Sequence, residues 1–461
     1  MIIGDISCGK VLAVLIFFFK LGKEKKMKFY LVLLLLLSQG LVLSACSQSS
    51  AQQSVNPYCL FPNKFDQLRC QLAKAQLTQN LPLVEKVTRQ MIVDRGTQAG
   101  IPDRPDSFLT VDPKAVMLSR TDIHRAFTPY GKQLEKDAWW RSKPAPTELK
   151  MPLRALASVI TGSVSAKLAG ADYPDRLLRL AKSAGDYLLW AQNQGETGGF
   201  PFPANQQGEG QAMKVATEFL RKANQAGKLG QVLHNHWIVD DLGSGDLQFD
   251  NGVCGVAMLQ LYQATQDEKY LQSAIASAEW AMKQPVVPNW NYNSFSVYLL
   301  AYTYQITGDH RYLDSAKKKA RLGIYPGQLK EGINKGHWVD PHNARLVYHY
   351  ILIRGLGALV AVLPADDPDF IKARDTLALA LRVGNKTIIN KGVANPETIL
   401  EVLSELQLWL PPSSTRLGDE GRRQALNLVG RYSSFQVLQG KLPVAPGAWG
   451  LFLQARQSLS E

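Results

Sequence analysis

Residues 234–255, HNHWIVDDLGSGDLQFDNGVCG, place four aspartates, two histidines and a tryptophan within 22 positions. Asp240 and Asp241 are adjacent, Asp246 follows a Gly/Ser loop, and Asp250 and Asn251 stand at the mouth of an apolar run. A shorter echo, GHWVDPHN, recurs at 336–343. Glycoside hydrolysis needs two carboxylates, one to protonate the leaving oxygen and one to activate water or attack. Asp240, Asp241 and Asp250 are the catalytic candidates. Like charges disfavour joint ionisation, so the adjacent pair suits one raised pKa. Trp237, Asn251, Tyr292, Trp338, Asp340, His342, Asn343 and Arg345 offer the aromatic faces and planar polar groups of a sugar site. Helix capping competes with that reading, because Asp250, Asp340 and Asn343 stand where N-caps are expected.

Other chemistries use the same residues. His234-x-His236 with Asp240 and Asp241, or His337 with His342, has zinc-ligand types without a closed ligand spacing. Asp240, Asp241, Asp246 and Asp250 are all-oxygen donors suited to calcium, although the loop is no EF-hand. No cofactor is expected for hydrolysis; calcium would enter only with a lyase. β-Elimination of a uronic-acid polymer needs a cation at the carboxylate and a base at C5, from Arg345, Arg125 or a histidine. A helical repeat can also serve as a glycan- or protein-binding surface without catalysis. Paired Trp139 and Trp140 beside charge can stack on a sugar or pack half-buried.

The elements that must position these residues read as helices. Residues 65–95 form a helical stretch, 96–113 a Gly/Pro/Asp loop, and from 151 onward apolar and amphipathic helices alternate. TQDEKYLQSA at 265–274 matches TGDHRYLDSA at 307–316. Apolar helices starting near 251, 293, 342 and 395 are about 42 to 53 residues apart, a helical-hairpin period. No strand alternation interrupts them, so the class is all-α. In a ring of hairpins the inner helices share one polarity, and the loops at their N-termini converge on one end.

A Gln-Asp or Gly-Asp turn followed by Tyr-Leu-x-x-Ala resembles the hairpins of the six-hairpin α/α-toroid superfamily. Asp250-Asn251-Gly252 opening an inner helix and the Gly-Gly-Phe-Pro loop at 198–201 are similar to features of its carbohydrate-active members. The likeness covers roughly residues 145–410 and matches no single family's catalytic set. It implies an α/α toroid and a carbohydrate polymer or oligosaccharide as partner, with hydrolysis ahead of elimination.

The N-terminus is read separately. Runs at 11–19 and 29–37 are each too short for a bilayer span, which takes about 20 apolar residues. Lys28, the leucine run and Leu43-Ser44-Ala45-Cys46 resemble a bacterial lipoprotein signal starting at Met27, with Cys46 as the lipidated residue. Ser47 in place of aspartate favours the outer membrane. The expected organisation is a signal peptide at 1–45, a lipidated tether at 46–57, an N-terminal region at 58–144 packed on the toroid, and the toroid at 145–461. Cys59 and Cys70 flank a short loop in an oxidising compartment and are expected to pair, while Cys254 reads as a buried thiol. Without residues 1–45, which hold six lysines and two acids, the formal net charge falls from +13 to +9; that balance suits an anionic polymer or lipid surface, but no nucleic-acid signature accompanies it.

Overall fold

Wholly apolar helices cannot face water, and amphipathic helices can cover them; from residue 154 that contrast sets the packing. The computed structural model describes residues 57–59, 64–207, 210–411, 413–441 and 445–458. The signal, Cys46 and the tether up to residue 56 lie outside the described residues.

The helical stretch at 65–95 is two helices, α1 (Lys64–Leu77) and α2 (Leu81–Arg95). Gln79 at φ 56° breaks it, and the Asn80 side chain accepts the Leu83 N–H at 3.0 Å to start α2. The Cys59–Cys70 disulfide is present, and Cys254 is a buried free thiol. Next comes α3 (Arg120–Lys136), followed by hairpin α4 (Arg154–Leu168) and α5 (Pro174–Gly195). An excursion carries α6 (Gln211–Gln225), α7 (Leu229–Val232) and a small antiparallel sheet. Its strands, β1 (Phe202–Pro203), β2 (Leu233–His234) and β3 (Trp237–Ile238), run in the order β1-β3-β2. Three hairpins follow: α8 (Leu247–Thr265) with α9 (Glu268–Lys283), α10 (Trp290–Thr307) with α11 (His310–Gly323), and α12 (Leu346–Val362) with α13 (Phe370–Lys391). α14 (Pro396–Trp409), α15 (Arg422–Leu438) and α16 (Pro446–Ser458) complete the chain.

Helices α4, α8, α10, α12, α14 and α16 each pack on the next, and α16 packs on α4, so the inner ring closes. The fold is an α/α toroid. Its sixth outer helix is α3, which packs on α16 from the other end of the chain. The ring therefore begins at residue 120, ahead of the boundary at 145 read from sequence. Closure demands glycine: a Cβ on Gly450 of α16 would stand 2.2 Å from the carbonyl oxygen of Gly162 on α4.

The repeated turns are chemically equivalent. Asp267 and Asp309 accept the N–H of Lys269 (3.3 Å) and Arg311 (3.0 Å), and each donates its own N–H to the preceding threonine hydroxyl. The tyrosine of each Tyr-Leu-x-x-Ala then reaches the previous outer helix. Tyr270 donates to Asp186 at 2.8 Å, and Tyr312 donates to Glu279 at 3.2 Å. Ala274, Leu313 and Ala316 below them are buried, and Leu271 is half-buried.

Candidate functional site

The long loop before α8 is built mainly for its own closure. Trp237, fully buried, packs edge-on against Trp190 and belongs to the core. This corrects its assignment as a sugar-stacking face. Asp240 accepts from Gln231 Nε2 and Leu242 N–H, both at 2.7 Å, at the surface of the loop. Asp241 accepts the N–H of Gly243 and of Leu247, each at 3.0 Å, and so holds the start of α8. Both of its oxygens hold backbone N–H groups of the loop and of the helix start. Asp246 accepts from Ser244 Oγ at 2.6 Å and from the Tyr292 hydroxyl.

The other loops behave similarly. Asn251 is 1% exposed; its oxygen accepts the Phe200 N–H at 3.1 Å and its nitrogen donates to Ser277 O at 3.0 Å. It clasps the loop at 198–201 to the ring, where Phe200 and Phe202 are buried rather than facing a ligand. Trp338 is fully buried and donates to Ile324 O at 3.0 Å. Asn343 donates to Asp340 and to Asn289 Oδ1, each at 3.0 Å. These residues are interior struts, because burying an amide or carboxylate is tolerable only when its hydrogen bonds are met. His342 stacks on Tyr348 with ring centroids 3.9 Å apart, and Arg345 lies 5.0 Å over the same ring. Trp139 and Trp140 pack against each other, and Trp139 packs on Tyr187. Among the described residues no three His, Cys, Asp or Glu side chains are grouped to hold a metal ion.

Burial pushes the Asp241 carboxyl from an ordinary 3.8 up to about 6, with Asp246 and Asp240 acting in the same direction and the Leu247 and Gly245 backbone opposing. The folded protein then holds that proton more tightly than the unfolded chain. Its stabilising effect is complete below the ordinary carboxylate pKa and is lost as pH rises through about 6. Urea unfolding of wild type and Asp241→Asn at pH 4 and pH 7 should show the wild-type advantage shrinking at the higher pH. An advantage that grows instead would mean the two N–H donors outweigh burial.

A different set of residues converges on the ring axis. A cavity of about 160 Å3 is lined by Arg154, Thr161, Phe249, Phe295, Tyr298, Arg354 and Glu401, with small and apolar neighbours. Five inner helices contribute, and none does so from beyond its midpoint. The convergence expected at that end of the ring is present, but helical side chains supply it.

Arg154 donates to Asp250 Oδ2 at 2.6 Å and lies 4.3 Å over the Phe249 ring, which stacks on Phe295 at 4.2 Å. Asp250 also accepts the Arg154 backbone N–H at 3.4 Å, so it caps the neighbouring helix α4 rather than its own. Across the cavity Arg354 donates to Glu405 Oε2 at 2.6 Å and to Glu401, while Tyr298 donates to Glu405 Oε1 at 2.8 Å. Burial raises the Asp250 carboxyl, and Arg154 pulls it the other way. Burial also raises Glu405, opposed by Arg354, and takes the Tyr298 phenol well above its ordinary value. Of the catalytic candidates, only Asp250 belongs to this cluster.

A readable signal did mark these residues: Arg354 is a lone cation in LVYHYILIRGLGALVAV, and Glu401 and Glu405 are four apart in ILEVLSELQLW. Charges inside apolar helices must be paired, and a pair needs a place to meet.

No protein-family model matches this sequence, and no curated protein matches it. Solved structures do resemble the fold. A polysaccharide lyase is 13% identical with a TM-score of 0.45, over 75% of this chain and 99% of that one. A family 88 glycosyl hydrolase from Bacteroides vulgatus is 12% identical with a TM-score of 0.43, over 74% and 98%. An α-1,6-mannanase from Salegentibacter sp. is 16% identical with a TM-score of 0.30, over 68% and 99%.

Proposed function

We propose that the ring binds a neutral sugar unit in its axial cavity and hydrolyses a glycosidic bond there. The charge balance of the cavity wall carries this reading. Two guanidiniums, Arg154 and Arg354, line the cavity with one carboxylate, Glu401, and each guanidinium is already paired, Arg154 with the buried Asp250 and Arg354 with Glu401 and the buried Glu405. A uronate entering the cavity would find no uncommitted cation among the described lining residues, so elimination lacks its charge-neutralising group. A neutral sugar meets what it needs: aromatic walls and planar polar groups.

Glu401, one-fifth exposed at the cavity wall, suits one carboxylate, and Asp250, held by the lining Arg154 and raised by burial, is the candidate proton donor. The protein should be incubated with neutral and uronic polysaccharides while reducing ends and the ultraviolet absorbance of unsaturated products are followed together. New reducing ends from a neutral polymer without absorbance support hydrolysis. Both signals from a uronic polymer would reverse the reading, and binding without either signal would make the ring a glycan-binding surface.

The lipobox motif supports a second part of the proposal: export, acylation at Cys46 and attachment to the outer membrane. Metabolic lipid labelling should mark the protein, and Cys46→Ala should abolish the label. Labelling that persists in that variant would remove the anchor.

A further inference from the structure

Buried asparagines crowd the end of the ring where the inner helices begin, and nearly all of them are satisfied. Asn251 and Asn343 make the bonds described above. Asn293 accepts the Val287 N–H at 3.0 Å and donates to Val287 O and Gly323 O at 2.8 and 3.0 Å. Asn291 is the exception. It is 1% exposed, and neither its amide nitrogen nor its amide oxygen has a hydrogen-bond partner among the described residues. Its backbone is in order, with the N–H donating to Asn343 Oδ1 at 3.0 Å. Leaving both ends of a buried amide unmade is costly, and a native fold seldom does so without a use for the group.

The neighbours on α10 show where that amide is aimed. Ser294 donates to Ile351 O, so its side of α10 faces α12. Tyr292 donates to Asp246, and Phe295 stacks on Phe249, so the other side faces α8. Asn291 lies between these two sides, on one helical stripe with Phe295 and Tyr298, four and seven residues on. Both of those residues line the cavity. Asn291 therefore stands one turn above Phe295, on the stripe that carries two lining residues and just beyond the lining itself, toward the inner-helix N-termini.

We propose that Asn291 reads the ligand: its amide nitrogen donates to one hydroxyl and its amide oxygen accepts from the adjacent hydroxyl of a neutral sugar. An uncharged group able both to donate and to accept matches a vicinal diol, which does both. A site built to bond a hydroxyl discriminates strongly, because a ligand lacking it leaves the amide unpaired. This assignment rests on the neutral-sugar reading of the cavity, and its test is arranged so that the two can fail separately.

Asn291→Ala should be compared with wild type in two measurements on the full chain. Thermal unfolding without ligand should leave the variant's midpoint equal to or above wild type, because no internal hydrogen bond is lost. Binding to mannohexaose, cellohexaose and xylohexaose should show at least a tenfold weakening for whichever hexaose the wild type binds. A variant that binds like wild type overturns the role of Asn291 and leaves the cavity reading intact. A variant that unfolds well below wild type also overturns it, since the amide would then be holding the fold. Wild type that binds none of the three defeats the cavity reading and this assignment with it.

Discussion

Replacing Glu405 by leucine is expected to lower the unfolding free energy by about 3–5 kcal/mol, the usual effect of removing one partner from a buried ion pair. Glu405 is 1% exposed and accepts from both Arg354 Nε and the Tyr298 hydroxyl. Without it, a cation that is 9% exposed keeps only Glu401, and a buried phenol loses its acceptor. The size of the loss comes from what is left behind, since the gain from forming a buried pair is largely offset by desolvation. Arg354→Met alone should also destabilise, because it leaves Glu405 buried without its cation. The double variant should then recover part of the loss, since neither charge remains stranded. Urea denaturation of the two single variants and the double variant forms a cycle that measures the coupling. A loss under about 1 kcal/mol for Glu405→Leu would mean that water reaches the pair.

The second large effect concerns chemistry. Asp250→Asn and Glu401→Gln are each expected to reduce turnover of a neutral polysaccharide by about 100- to 10,000-fold, the usual contribution of a positioned acid or base. Both changes are nearly isosteric, so circular dichroism should report an intact fold. Asp240→Asn is the control: its carboxylate closes the loop at the surface and bonds no residue that lines the cavity, so turnover should stay near wild type. Equal losses in all three would point back to the loop as the site. Full turnover in the Asp250 and Glu401 variants would sink the carboxylate assignment. Because Asp250 also pairs Arg154 and caps α4, its variant should be compared at equal folded fraction.

The two repeated turns were legible because each is a local event. Thr265 with Asp267, and Thr307 with Asp309, make the same bonds within a few residues, so matching letters imply matching structure. The disulfide between Cys59 and Cys70 was readable for a similar reason, since its ends are 11 positions apart. Hairpin periodicity carried the ring from 247 to 409. The last inner helix, α16, has a weaker pattern, and its outer partner α3 lies more than 300 residues earlier. No periodicity spans that gap. The closing contact is made by two glycines whose small size signals nothing until the helices meet.

The residues at 234–255 show the other limit. Their types suggested chemistry, but Trp237, Asp241 and Asn251 are spent on burial, helix capping and loop clasping. Amino-acid type and spacing settle backbone periodicity, caps and short-range closure, because those depend on neighbours a few residues away. Whether a carboxylate is a cap, an ion-pair partner or a proton donor depends on burial and on partners contributed by distant helices. Arg354 meets Glu405 across 51 positions, and Arg154 meets Asp250 across 96. Only closure of the ring brings those charges together out of water, and the low dielectric there raises their carboxyls and shapes the cavity between them.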